Sequence, residues 1–229
     1  AVSGGTVYVA SLQESIFALD AATGAWKWQH RREKPHGFTI RGAAAAAVGN
    51  GKVYAGYADG TVVALDPASG AVRWQRQVAP RGDFLDVDSI ALGDGRVYAA
   101  AYSGAVVALD AGSGDKVWEF PAKDASRVAV FPGTVVAVTT SAVHALSPAD
   151  GSVLWSSTHD GAPRAPPVRA GRWLLVPTGF GGLRVLELAS GRSLRLLEPG
   201  SGVAAEPAVA GSRVYVLSNR GRLFALDLR

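Results

Sequence analysis

The chain has neither cysteine nor methionine among its 229 residues. Without thiols there can be no disulfide staple, no Cys-built metal centre and no thiolate nucleophile. Histidine is scarce: His30, His36, His144 and His159 are the only four, and none stands at helical metal-pair spacing from another. His144, inside the run Ala-Val-His-Ala-Leu, reads as a packed or interblade side chain rather than a base. No apolar run approaches the ~18 residues of a membrane-spanning helix, and no secretory leader is visible at Ala1. Serines occur without a G-x-S-x-G elbow, and the 28 glycines form neither a P-loop nor a G-x-G-x-x-G after a strand. No residue is nominated as a nucleophile, so the chain is expected to be non-enzymatic and to carry no cofactor. The net charge is +4, but the charges are scattered. The densest run, Arg31-Arg32-Glu33-Lys34, contains its own acid, which argues against a nucleic-acid stripe.

What the sequence does contain is a repeat. Its clearest copy is Val53 to Trp74, VYAGYADGTVVALDPASGAVRW. Val7 to Asp20, Val53 to Asp66, Val97 to Asp110, Leu174 to Glu187 and Val214 to Asp227 are each thirteen residues apart, and Val135 to Ser147 is one shorter. Eight residues after Asp20, Asp66, Asp110 and Ser147 come Trp28, Trp74, Trp118 and Trp155, with Gly24, Gly70, Gly114 and Gly151 four residues before each. Copy five has Glu187 for Asp and Arg195 for Trp, and copy six ends before its Trp is due.

Repeats of roughly 40 to 45 residues holding four short strand signals are the mark of propeller blades. The fold class is therefore all-β: a propeller of four-stranded antiparallel blades in one domain, 1–229. The repeats fall at roughly 1–29, 42–78, 88–120, 127–157, 165–197 and 204–229. Copy six ends without its outer strand, so the ring is either closed imperfectly or a piece of a longer propeller. In each turn the Asp should cap its own backbone, with Ser147 making the weaker version, and the Gly should supply positive φ. The Trp should open the outer strand and bury its face against the next blade, where the small Ala of Ala-Leu-Asp leaves room. Ala43 to Ala47 is too short for an isolated helix and is expected to be the inner strand of blade two.

Two connections are longer than tight turns. The first, from Gln29 to Gly42, carries Phe38, Ile40 and Arg41; the second, from Gln75 to Gly95, carries Asp83, Asp86 and Asp88. The acids lack the Gly and Glu of a calcium loop, and no metal is expected there. The stretch reads as a solvated loop entering an inner strand at Ser89 to Leu92.

The Ala-Leu-Asp-x-x-[Ser/Thr/Asp]-Gly-x-x-x-Trp repeats resemble the pyrroloquinoline-quinone type of propeller. Within that type, Phe38-Thr39-Ile40-Arg41-Gly42, Leu85-Asp86-Val87-Asp88-Ser89, Ala101-Tyr102-Ser103-Gly104 and Glu206-Pro207 are similar to the BamB family of outer-membrane assembly lipoproteins. The resemblance implies a non-catalytic scaffold on the periplasmic side of the outer membrane, aiding insertion of outer-membrane proteins. It implies contact with the POTRA domains of the barrel-forming subunit BamA through Phe38, Ile40 and Arg41 on one loop and Asp86 and Asp88 on the next. Alternatively, Arg41 and the two acids fix the loops between blades. Unfolded outer-membrane clients are further implied partners, and membrane contact would come only through a lipid anchor that this sequence does not include. By the same resemblance the chain is a C-terminal part or a short version of the family's eight blades. Two competing functions share the fold: a quinone dehydrogenase, from which the missing Cys pair departs, and a generic repeat-binding or sensor propeller.

Overall fold

The computed structural model describes residues 1–33, 44–79 and 86–227. Among them every regular element is a strand, and the strands form six antiparallel sheets in chain order. Sheet one holds β1 (Val2–Ser3), β2 (Thr6–Ser11), β3 (Ser15–Asp20) and β4 (Trp26–Arg31). Sheet two holds β5 (Ala47–Gly49), β6 (Lys52–Gly56), β7 (Thr61–Leu65) and β8 (Val72–Gln77). Sheet three holds β9 (Val87–Gly93), β10 (Arg96–Ala101), β11 (Ala105–Asp110) and β12 (Lys116–Pro121). Sheet four holds β13 (Arg127–Phe131), β14 (Thr134–Val138), β15 (Ala142–Leu146) and β16 (Val153–Thr158). Sheet five holds β17 (Val168–Ala170), β18 (Trp173–Thr178), β19 (Gly182–Glu187) and β20 (Ser193–Leu197). Sheet six holds β21 (Ala208–Ala210), β22 (Arg213–Leu217) and β23 (Leu223–Asp227). The chain divides into two compact units, Ala1–Ser126 and Arg127–Arg229, each built from three of these sheets.

Within each unit the sheets pack face to face, so a middle strand is covered on both sides. That is why β7, Thr-Val-Val-Ala-Leu, is buried at all five positions, where a half-exposed strand would alternate. Tyr8, Ile16 and Trp28 of sheet one pack on Val53, Ala55 and Val63 of sheet two. Tyr54, Val62 and Ala64 on the opposite face of sheet two pack on Val97, Val107 and Leu109 of sheet three. In the second unit Val136 and Val143 meet Leu174 and Leu186, and Leu175 and Val185 meet Val214 and Val216.

The turn chemistry follows from the motif. Asp20 accepts from the N–H groups of Ala22 and Thr23, Asp66 from those of Ala68 and Ser69, and Asp110 from those of Gly112 and Ser113. In copy four the carboxylate comes from Asp150 instead, which accepts from both the N–H and the hydroxyl of Ser152, so Ser147 does not carry that role alone. The longer Glu187 accepts the Ser190 hydroxyl.

Two expectations are corrected. The Trp is the third residue of the outer strand in β4, β8, β12 and β16 and does not open it. The Ala of Ala-Leu-Asp does not belong to the neighbour that receives the Trp; it is the Trp's own cross-strand partner, as in Ala18 with Trp28 and Ala64 with Trp74. A β-bulge one step on, between Ala and Leu in sheets one to four and between Val185 and Leu186 in sheet five, recurs and re-aims the strand there. Room in the neighbour is made by the motif Gly. A Cβ on Gly70 would lie 2.6 Å from the Trp28 ring, and one on Gly114 would lie 2.6 Å from Trp74. Three of these indoles also donate to the neighbour: Trp28 to Pro67 O at 2.9 Å, Trp74 to Ala111 O at 3.2 Å and Trp155 to Leu188 O at 2.9 Å. Tyr8 and Tyr54 back their Trp and donate to the same carbonyls.

The inner strand of sheet two is Ala47–Gly49 rather than 43–47. The two-residue Asn50-Gly51 turn, both residues at positive φ, fixes where that hairpin ends.

Candidate docking site

The two long connections leave and rejoin the first unit at one place, the turn between β6 and β7. Its sequence, Tyr57-Ala58-Asp59-Gly60, is a tight polar turn with Gly60 at φ +79°. The first connection starts at Arg32, whose N–H donates to Glu14 O at 3.0 Å. The Arg32 guanidinium pairs with Asp59 at 2.6 Å, donates to Gln75 at 3.1 Å and lies 5.3 Å from the centre of the Tyr57 ring. That connection rejoins at Ala44, whose N–H donates to Gly56 O at 2.9 Å. The second starts at Val78 and Ala79, which both donate to Gly60 O, and is rejoined where Val87 donates to Tyr57 O at 3.2 Å. All four ends are therefore held by six consecutive residues, 56–61, and their flanking carbonyls.

The platform beneath is buried and closely packed. Tyr57, Ala58, Ala44 and Val87 are buried, and a Cβ on Gly56 would collide with Val87 and crowd Ala44, so only Gly lets the two rejoining segments lie side by side. Glu14, 2% exposed and itself at φ +57°, reaches over from sheet one and accepts the Ala58 N–H at 3.0 Å. Burial pushes the Tyr57 phenol well above its ordinary value. Burial, helped by the Arg32 charge, pushes the His30 imidazole down, so His30 is neutral near pH 7. The ion pair of the platform is that of Arg32 with Asp59.

Of the residues singled out in the sequence, Phe38, Ile40 and Arg41 lie outside the described residues. Asp86 is wholly buried, with its backbone carbonyl accepting from Tyr102 N–H at 3.0 Å, and both carboxylate oxygens of Asp88 are shielded from solvent. Neither acid presents its carboxylate to solvent. Of the repeat residues, Asp20 and Asp110 end the third strands of their sheets, Asp66, Gly24, Gly70, Gly114 and Gly151 lie in the turns that follow, and Trp28, Trp74, Trp118 and Trp155 lie in the outer strands. Sequence reasoning missed Glu14, Arg32 and the 57–60 turn as the common anchor. The one available signal was the Asp-Gly pair, which marks a turn without saying what binds it. His144 packs within its own sheet, its Nδ1 2.8 Å from the Ser156 hydroxyl. Among the described residues no group of three or more His, Cys, Asp or Glu comes together to hold a metal.

Repeated four-stranded sheets stitched by Trp-to-turn contacts define a β-propeller of pyrroloquinoline-quinone-like repeats. The family described as outer membrane protein assembly factor BamB matches residues 1–157 and 139–229, and the chain belongs to that family. Among solved structures, the chain is similar to BamB from Moraxella catarrhalis at 27% identity and a TM-score of 0.84, covering 99% of this chain and 71% of that one. The computationally designed Ika8 protein shares the fold at 19% identity and a TM-score of 0.81, over 100% of this chain and 70% of its own. A chain of the mitotic checkpoint complex does so at 12% identity and a TM-score of 0.77, over 98% and 72%. No curated protein matches the sequence significantly.

Proposed function

We propose that the chain is a non-catalytic scaffold of the outer-membrane β-barrel assembly machinery, on the periplasmic side of the outer membrane, and that it docks the POTRA domains of the barrel-forming subunit BamA. The observation that carries the reading is the shared anchor: the described ends of both long connections are held by one turn and the residue before it, Gly56-Tyr57-Ala58-Asp59-Gly60. Preorganised loops lose less conformational entropy when they bind. The described ends of both connections meet at this turn, which puts both within reach of one partner.

Phe38, Ile40 and Arg41 supply the contacts, an apolar pair beside a planar cation suited to bidentate pairing with a carboxylate. Asp86 and Asp88 hold the second connection from within. In a pull-down with purified POTRA domains, Arg41→Ala and Phe38→Ala are expected to lose capture while keeping the far-ultraviolet dichroism of the parent. Full capture by both would sink the loop assignment. Asp86→Asn should reduce capture only together with a measurable loss of stability, since it acts through the loop's packing.

A further inference from the structure

We infer that the turn between β18 and β19 docks on an anionic phospholipid surface, with the Phe180 ring entering the headgroup layer between two guanidinium groups. Phe180 is 83% exposed, the most exposed large apolar side chain among the described residues. A lone exposed apolar residue is ordinary, but the backbone that carries this one is not. Its turn, Thr178-Gly179-Phe180-Gly181-Gly182, is fastened from both sides. From the connection that follows sheet four, Ala162 O accepts the Gly179 N–H at 3.0 Å and Pro163 bridges to Thr178. From the side of sheet six, the Val203 N–H donates to Thr178 O and the Asn219 side-chain amide to Gly179 O, both at 2.9 Å. The Thr178 hydroxyl closes the turn on Gly182 O at 3.1 Å. Its glycines have no room for side chains: a Cβ on Gly181 would stand 2.8 Å from the Thr178 hydroxyl, and one on Gly182 would collide with Leu197 O. Phe180 is thus held out on a fixed backbone, so its insertion orders little chain. The cations are placed by the same contacts. A Cβ on Gly179 would lie 2.9 Å from Cγ and Nε of Arg164, so that side chain stretches along the turn, and Arg220 directly follows Asn219. Both arginines are exposed. The acid beside the turn is Asp160, whose carbonyl faces Gly181. From Arg127 to Arg229 the chain has eleven arginines against six carboxylates. A projecting ring flanked by guanidinium groups complements a surface that is anionic at its face and apolar beneath. Lipid parts around such a ring without a pocket of matching shape. This contact belongs to the folded chain itself and does not rest on the docking loops of the first unit.

The probes are vesicles of phosphatidylglycerol and phosphatidylcholine in equal parts, and of phosphatidylcholine alone, with the bound fraction read by flotation. Binding to the anionic vesicles that weakens with added salt is expected, and little binding to the neutral ones. Phe180→Ala should lower the partition coefficient about tenfold, the factor for partial burial of one aromatic side chain. The Arg164→Ala, Arg220→Ala double variant should lower it about twentyfold at low salt. Both variants should keep the urea midpoint of the parent. Because the chain has no cysteine, Phe180→Cys takes a single polarity-sensitive nitrobenzoxadiazole label, whose emission should shift to the blue on anionic vesicles. The same label on Ser190→Cys, in the exposed turn beyond the other end of β19, should not shift. Equal binding by the parent and Phe180→Ala, binding indifferent to lipid charge, or a blue shift at 190 and not at 180 would overturn the assignment. So would a folded parent that binds no vesicles, because the ring would then be left to a protein partner. Docking to POTRA domains is read in a separate titration, so the two proposals fail independently.

Discussion

Gly24 and Gly70 occupy the same turn position in successive copies and have the same φ of +72°, yet they differ in what faces them. A Cβ on Gly24 would meet nothing within 4 Å, whereas one on Gly70 would stand 2.6 and 2.8 Å from two carbons of the Trp28 ring. That ring cannot retreat. It is 9% exposed, faces Ala18 across its own sheet and is pinned by its N–H to Pro67 O at 2.9 Å. Gly24→Ala should therefore cost only the left-handed backbone strain, ~1–2 kcal/mol. Gly70→Ala should cost that plus an overpacking penalty of ~1–3 kcal/mol. The assay is equilibrium urea unfolding of both variants, with the slope checked for constancy so that the midpoints report stability. A Trp28→Ala background closes the cycle, since removing the ring should reduce the cost of Gly70→Ala to that of Gly24→Ala. Equal costs for the two glycines in the parent, within the ~0.5 kcal/mol at which independent effects add, would refute the view that indole-on-glycine contacts stitch one sheet to the next.

Three further outcomes are expected. Hydrogen bonds from the Thr23 N–H and hydroxyl hold the Asp20 carboxyl at about 2, and bonds from Arg73 and Ser69 do the same for Asp66, against an ordinary 3.8. A lowered folded-state value contributes stability that is present above about pH 4 and lost as the pH falls toward 2, so thermal midpoints should drop across that window and an Asp20→Asn, Asp66→Asn double variant should drop less. Glu14→Ala leaves the buried Ala58 N–H without this acceptor and should cost ~1–3 kcal/mol in urea unfolding; a neutral result would remove Glu14 from the platform. Arg32→Ala and Asp59→Ala should show a coupling of ~0.5–1 kcal/mol in a double-mutant cycle, as for a partly exposed ion pair, and strictly additive effects would mean that the pair does not fasten the first connection.

The repeat was legible because its chemistry is local: an Asp two and three residues ahead of the N–H groups it caps, and a Gly where φ must be positive, are visible in Asp66-Pro67-Ala68-Ser69-Gly70. The partner of each Trp was not, because which residue of the next copy lies under an indole is set by sheet-to-sheet packing. The inner strand of sheet two was misplaced because the Ala43 to Ala47 run drew attention from Asn50-Gly51, the stronger register signal. Asp86 and Asp88 illustrate the same limit at the candidate site. A cluster of acids in a long connection reads as solvated, and only the packing around Val87 and Tyr102 shows that the chain turns them inward. The Tyr57 to Gly60 anchor is a tertiary fact with no local signature beyond its turn.

The central claim is best tested by titration calorimetry of the chain against the soluble POTRA domains of the barrel-forming subunit from the same source, with a Phe38→Ala, Ile40→Ala, Arg41→Ala variant as control. The account expects saturable one-to-one binding by the parent and none by the variant, with both chains showing the same urea midpoint. Binding of equal strength by the two, or no heat of binding from a fully folded parent, would contradict it.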